Sequence, residues 1–254
     1  MKTVEVRGVT IGEGRPKILA SLCGKTAADA VEQARALAGT PVDIAEWRVD
    51  WFDGVFDRPA LMAAAKELRE AVGDDTPLLL TFRTAKEGGE KAVEPDVYAD
   101  INLELAKSGL VDLIDVEAFT GDDVVRRIIE GAHEAGVFVI ASNHDFDKTL
   151  PKDEIVSRLR KMQDLGADVA KIALMPQSRA DVITLLDATR EMFENYAEVP
   201  LITMSMSGLG VVSRLVGESF GSAATFGAAA QASAPGQVGV KELEQVLDTV
   251  HAGL

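Results

Sequence analysis

Residues 137–174 read VFVIASNHDFDKTLPKDEIVSRLRKMQDLGADVAKIAL, two apolar runs joined by a helical stretch. VFVIASNH and DVAKIAL are short, nearly continuous in apolar residues and rich in Val and Ile, the pattern of strands buried on both faces. Between them, PKDEIVSRLRKMQDLG carries apolar residues at helical spacing and is framed by Pro151 and Gly166, residues suited to a helix start and stop. A strand, a helix and a second strand of this kind make a parallel crossover unit.

The same unit recurs outward in both directions. KILASLC (17–23), VDIAEWRVD (42–50), PLLLTFR (77–83), VDLIDVE (111–117), PLITMSMS (200–207) and SAATF (222–226) bring the strand candidates to eight. The intervening segments have legible ends: Thr26 to Asp29 and Ser178 to Asp181 resemble capping boxes, Pro59 opens RPALMAAAKELREAVG, and Gly73 closes it. Eight strand–helix units in 254 residues predict an α/β fold, a closed (β/α)8 TIM barrel forming a single domain over 1–254. An open doubly wound sheet is the runner-up. SLCGKT rather than GxGxxG follows the first strand, which weakens its dinucleotide-binding version. Ahead of the first unit, TVEVRGVTIGEG (3–14) reads as a β-hairpin turning at Arg7 and Gly8 and closing the bottom of the barrel.

The net charge of −15 argues against nucleic acid and anionic membrane surfaces as partners. An anionic substrate would have to be captured by local arginines, because fields fade beyond about 8 Å in physiological salt. The single cysteine, Cys23, excludes an intramolecular disulfide, and MKTVEVRGVTIGEG has no apolar core of signal-peptide length. LLLTF and VFVIAS fall far short of the roughly 18 apolar residues of a membrane span. The expectation is a cytoplasmic protein with no transmembrane segment.

Chemistry-bearing residues gather at the carboxyl ends of the expected strands, the end at which barrels place their active sites. Glu46 and Arg48 share a face, Arg83 ends PLLLTFR, Asp115 and Glu117 end VDLIDVE, and His144 ends VFVIASNH. His133 falls on a helix and His251 near the C-terminus. Lys171 is the anomaly, an amine in the middle of an apolar strand, where burial costs several kcal/mol unless it is paired or neutral. A neutral amine adds to ketones and aldehydes to give an imine, and a nearby histidine is a natural base for the proton that an imine labilises. Among basic neighbours and away from water, Lys171 is expected in that neutral form. One cysteine and one well-placed histidine cannot close a zinc site. Magnesium on Glu46, Asp115 and Glu117 competes poorly with the positive charge of Arg48, Arg83 and Lys171. SMSGLG lacks the glycine that a GxSxG nucleophile elbow requires, although SGLGVVSR offers backbone N–H groups for an anion. The stretch GAAAQASAPGQVG (227–239) is small and flexible in composition, and as the last βα loop it would form a lid.

EWRVD, TFR, NHDF, AKIA, MSMSGLGVVSR and SAPGQ follow one another in the order and approximate spacing of a known family, and the whole chain resembles type I 3-dehydroquinate dehydratase. The resemblance implies a lyase that removes water from 3-dehydroquinate, with Lys171 forming a Schiff base to the C3 ketone. His144 takes a C2 proton and then serves as acid, and Glu87 orients it. By the same matching Ser21 is a substrate-binding residue, Glu46, Arg48 and Arg83 lie with the ring hydroxyls, and Arg214, Ser233 and Gln237 hold the substrate carboxylate. Met204, Met206 and Phe226 form apolar walls. The resemblance implies a homodimer with no metal and no organic cofactor. A Schiff-base aldolase and a barrel that merely binds a polyhydroxylated acid, with Lys171 permanently charged and paired, are the alternatives.

Overall fold

The computed structural model describes residues 2–229 and 234–254. The chain opens with an antiparallel hairpin, β1 (Val4–Val6) and β2 (Val9–Ile11). Arg7 (φ 47°) and Gly8 (φ 78°) turn it, and two successive positive φ values are what a two-residue hairpin turn with the strands' own twist requires.

The barrel follows: β3 (Lys17–Leu22), α1 (Ala27–Ala36), β4 (Ile44–Arg48), α2 (Arg58–Val72), β5 (Leu78–Thr81), α3 (Pro95–Lys107), β6 (Leu113–Glu117), α4 (Asp122–Glu134), β7 (Phe138–Asp145), α5 (Lys152–Asp164), β8 (Val169–Leu174), α6 (Arg179–Asn195), β9 (Leu201–Ser205), α7 (Val211–Leu215), β10 (Ala224–Phe226) and α8 (Val240–His251). Neighbouring strands from β3 to β9 pair in parallel, β10 pairs with β3, and the backbone N–H of Ala223 donates to the carbonyl of Leu201 at 2.7 Å, bringing the two ends of the sheet together. The arrangement is the expected TIM barrel.

Helix ends form where the sequence places them. Thr26 and Ser178 each accept from the backbone N–H three residues on, and the side chains of Asp29 and Asp181 bond back to them. Gly73 ends α2 with φ 84°. Helix α7 is a five-residue stub, so the seventh unit is covered more thinly than the rest.

Alternation along the strands separates two cores. Outward residues such as Trp47, Leu80, Ile114 and Val139 pack under Leu61, Leu68, Tyr98, Ile128 and Ile129 of the helices. Inward Leu19, Ile44, Leu79, Leu113, Ile140, Val169 and Ile202 fill the barrel together with Val4, Val6 and Ile11, so the hairpin closes the bottom as expected. Each such buried aliphatic side chain contributes about 1.5–3 kcal/mol. The guanidinium of Arg7 fixes the hairpin to the barrel through Oδ1 of Asp112 (2.7 Å) and the carbonyl of Asp74 (2.6 Å). Two residues beyond the apolar layer, the inward positions become Ser21, Glu46, Thr81, Asp115, Ser142 and Lys171. Polar chemistry is thereby confined to one end of a barrel whose other end is sealed.

Candidate active site

A cleft of about 590 Å³, counting the space open to solvent at its mouth, lies at the carboxyl end of the strands. Ser21, Glu46, Arg48, Arg83, Glu87, His144, Lys171, Met204, Met206, Arg214, Phe226 and Gln237 all line it. Ser233, the remaining residue expected there, lies outside the described residues, as do residues 230–232 of the expected lid. The cleft also takes in Thr81, Gly88, Phe146, Ala173 and Ala234, which the sequence did not single out. Phe146 carries a signal in hindsight, being the aromatic two residues past His144.

Lys171 sits at the floor, 3% exposed. Strand register puts it beside Ser142, with His144 one inward position further along the neighbouring strand. Its Nζ donates to Oδ2 of Asp115 at 2.9 Å and lies 4.7 Å from the centroid of the Phe226 ring. This differs from the expectation of an amine surrounded by basic groups. Arg83, which shares Asp115 with it, is itself matched by Asp115 and Glu117, and the immediate partner of Lys171 is a carboxylate. Burial pushes the Asp115 carboxyl up, but Arg83 and Lys171 override it and hold it below the ordinary carboxylate range.

Arg83 organises the acidic groups. NH2 donates to Oδ1 of Asp115 at 2.6 Å, and NH1 donates to Oε1 of Glu117 at 3.0 Å and to Oγ of Ser142 at 3.1 Å. Burial works against its charge, and Asp115, Glu117 and Glu87 together outweigh that cost and raise its pKa further. Glu117 is completed by the backbone N–H and the hydroxyl of Thr84, both at 2.7 Å. Arg48 turns back on Asp50, with Nε and NH2 each 2.8 Å from a carboxylate oxygen. Glu46 accepts from Ser21 and, at 2.8 Å, from the hydroxyl of Thr81. The carboxylates considered for magnesium, Glu46, Asp115 and Glu117, are thus all turned toward protein donors, and among the described residues no group of three His, Cys, Asp or Glu is arranged to hold a metal ion.

Glu87 ends a 3-10 turn after β5 (Ala85–Glu87), and Gly88 follows with φ 83°. Its Oε2 lies 3.0 Å from Nδ1 of His144 and accepts from the backbone N–H of His144 at 2.9 Å, while Oε1 accepts from Nδ2 of Asn143 at 2.9 Å. Two donors fix the carboxylate on one side of the ring. With Nδ1 carrying the hydrogen toward Glu87, Nε2 is left with its lone pair. Burial lifts Glu87 to about 7, with Arg83, 3.6 Å away, pulling it down and Glu117 adding to the rise. Burial, then Arg83 and Lys171, keep the His144 imidazole well below its ordinary pKa, so it is neutral and able to accept a proton near pH 7.

Arg214 is the opposite case, a guanidinium 1% exposed whose only bonds among the described residues run to Sδ of Met204 (3.4 Å) and the carbonyl of Pro235 (3.3 Å). Its Nε has no partner among the described residues, and burial pulls its pKa down to about 10. A buried cation with no carboxylate beside it is costly, and an anion brought to it would be bound strongly. His133 and His251 stand apart from the cleft, at Asp168 and Glu218.

A sealed parallel barrel with an amine, a neutral imidazole and an uncompensated guanidinium around one cleft defines a barrel enzyme acting on a small anionic substrate. The family described as Type I 3-dehydroquinase matches residues 18–253, and the chain belongs to that family. It is 57% identical over 251 residues to the 3-dehydroquinate dehydratase of Salmonella typhimurium, spanning 99% of each chain. It is 53% identical over 253 residues to that of Clostridioides difficile, spanning 100% of this chain and 99% of the other. A solved type I 3-dehydroquinate dehydratase from Clostridium difficile, carrying covalently modified comenic acid, superimposes with a TM-score of 0.96 at 53% identity over 100% of this chain and 99% of that one. The 3-dehydroquinate dehydratase structure from Geobacillus kaustophilus gives a TM-score of 0.95 at 34% identity, covering 99% and 97%.

Proposed function

We propose that this protein dehydrates 3-dehydroquinate to 3-dehydroshikimate through a Schiff base on Lys171, with His144 as base and then acid. The Lys171 ammonium first passes a proton to His144; Nζ then adds to C3 as the carbonyl electrons move to oxygen, that oxygen takes one proton from the nitrogen and the one His144 returns, and it leaves as water, giving a protonated imine. The iminium draws electrons from the adjacent C–H bond. Nε2 of His144 takes the C2 proton, and the electron pair forms an enamine. Return of that pair forms the C1–C2 double bond and expels the C1 hydroxyl, which leaves as water with the proton His144 carries. A second water hydrolyses the imine, releasing product and the amine.

The observation that carries this reading is the meeting of Lys171 and His144 on neighbouring strands in a cleft that also holds Arg214 without an anion. The substrate carboxylate would seat on the Arg214 fork, with Gln237 and Ser233 of the last loop over it. Ser21, Glu46 and Arg48 would meet the ring hydroxyls, and Met204, Met206 and Phe226 would flank the ring. Arg83 lines the same cleft, but both its terminal nitrogens serve Asp115, Glu117 and Ser142, so a substrate hydroxyl would share them. Glu87 orients His144. No cofactor enters the scheme.

The test is an absorbance assay for the conjugated product. The wild type converts 3-dehydroquinate and does not cleave phosphorylated sugars, and Lys171→Ala folds but shows no turnover. Turnover retained by Lys171→Ala would reject the scheme. We also propose a homodimer of single-domain subunits working in the cytoplasm, tested by light scattering for a particle of twice 27.0 kDa. Among the described residues no helix is long and apolar enough to cross a membrane.

A further inference from the structure

The geometry assigns Asp115 as a positioning residue, the counter-ion that keeps the nitrogen linking Lys171 to substrate protonated and aimed; this inference rests on the Schiff-base reading above. An ammonium has three N–H bonds to distribute, whereas an iminium nitrogen is planar and has one. Oδ2 of Asp115, 2.9 Å from Nζ, is the hydrogen-bond acceptor present at that nitrogen, so the single N–H of the adduct is directed to it. The carboxylate cannot swing away. It is 0% exposed, and Oδ1 accepts from NH2 of Arg83 and from Oγ of Ser142, both at 2.6 Å.

Direction matters as well as charge. With the N–H drawn toward β6 and the Phe226 ring 4.7 Å from the nitrogen, the substituents on the imine carbon are fixed in the plane that this bond defines. The C–H bond to be broken is thereby held in one orientation to His144. Asp115 is a poor candidate for the base itself, because Arg83 and Lys171 hold its carboxyl below the ordinary range, and a carboxylate that does not take up protons is suited to remain a fixed negative charge. The other charged and titratable groups around this pair are Arg83 just past β5, Glu87 in the turn after it, Tyr98 on α3, whose hydroxyl donates to the carbonyl of Asp115 at 3.3 Å, Glu117 on β6, His144 on β7, Glu46 and Arg48 on β4, and Arg214 on α7, which lines the same cleft. Arg83 is shared between Oδ1 of Asp115 at 2.6 Å and Glu117 at 3.0 Å, and Arg48 is matched by Asp50 at 2.8 Å, so the carboxylate in contact with Nζ is Asp115 through its other oxygen.

Retention of the iminium proton depends on a facing negative charge, and removing such a charge lowers a cationic pKa by about one to three units. Asp115→Asn keeps the shape and a hydrogen bond but not the charge. In this variant the alkaline limb of kcat should move to lower pH by that amount, kcat at pH 8 should fall by about 10-fold or more, and the adduct to Lys171 should still be trapped by borohydride. Asp115→Glu should return the limb toward that of the wild type. An unchanged limb overturns the assignment, and so does a uniform loss of kcat with no change in the pH profile, which would mark a structural role. Should Asp115→Asn fail to fold, the wild type answers with cyanoborohydride, which reduces the iminium and spares the neutral imine. Trapping that holds steady from neutral into alkaline pH supports the counter-ion, and trapping that declines through neutral pH overturns it. Absence of any adduct on Lys171 in the wild type at every pH defeats the Schiff-base reading and this inference together, whereas trapping with an unaltered profile in Asp115→Asn defeats this inference alone.

Discussion

Nδ1 of His144 and Oε2 of Glu87 lie 3.0 Å apart, and the same oxygen accepts the backbone N–H of His144 at 2.9 Å. One carboxylate oxygen therefore fixes both the ring and the strand end that bears it. For His144 to present a lone pair at Nε2, Glu87 must be ionised, and burial lifts it to about 7. The ionised form grows as pH rises through that value, so kcat/KM should climb with pH and level off above about 7. Because kcat/KM reports the free enzyme, this limb belongs to the unliganded pair. Glu87→Gln should remove the limb near 7 and lower kcat by about 10- to 1,000-fold. A profile in Glu87→Gln that overlays the wild type would refute the orienting role.

Arg214 should act mainly in binding. Losing a charged hydrogen bond to the carboxylate costs about 1.5–3 kcal/mol, so Arg214→Ala should raise KM by about 10- to 100-fold with a smaller change in kcat. An unchanged KM would place the carboxylate elsewhere.

Gly88 should tolerate no side chain. Its φ is 83°, and a Cβ there would come within 2.4 Å of the Phe146 ring. Gly88→Ala should strain the turn by about 1–2 kcal/mol and displace Phe146 from the cleft wall, lowering the melting temperature and kcat/KM together. Equal activity and stability in the two proteins would show that the turn adapts.

Asp112 tests the closed bottom of the barrel independently of chemistry. It receives Arg7 (2.7 Å), Arg69 (2.8 Å) and the backbone N–H of Leu78 (2.8 Å). Asp112→Ala leaves the buried Arg69 guanidinium uncompensated and should destabilise the fold by about 2–4 kcal/mol in urea titration while the folded fraction keeps its turnover. A loss under about 0.5 kcal/mol would mean that the hairpin is held by its apolar contacts and the bond from Arg7 to the carbonyl of Asp74, without Asp112.

The barrel was legible because its signals are local. VFVIASNH and DVAKIAL declare buried parallel strands, Thr26 and Ser178 announce helix starts, and the Arg7–Gly8 pair marks a turn within a few residues of the strands it joins. Lys171 was legible as a site because an amine conflicts with its own strand. Its partner was not. Asp115 lies two strands away, across Ser142, and their approach depends on register and barrel curvature, which no short stretch of sequence contains. Arg48 reads as a rim cation on the same face as Glu46, whereas its guanidinium folds back onto Asp50, two residues on. Glu87 stands on a short turn with no periodicity, and only the family resemblance singled it out.

The proposed chemistry turns on a covalent bond between Nζ of Lys171 and the substrate ketone. The most direct measurement is intact-protein and peptide mass after incubation with 3-dehydroquinate and borohydride. A mass gain equal to the reduced adduct is expected, confined to the peptide containing Lys171 and absent from Lys171→Ala. An enzyme that turns over substrate while Lys171 remains unmodified under these conditions would contradict it.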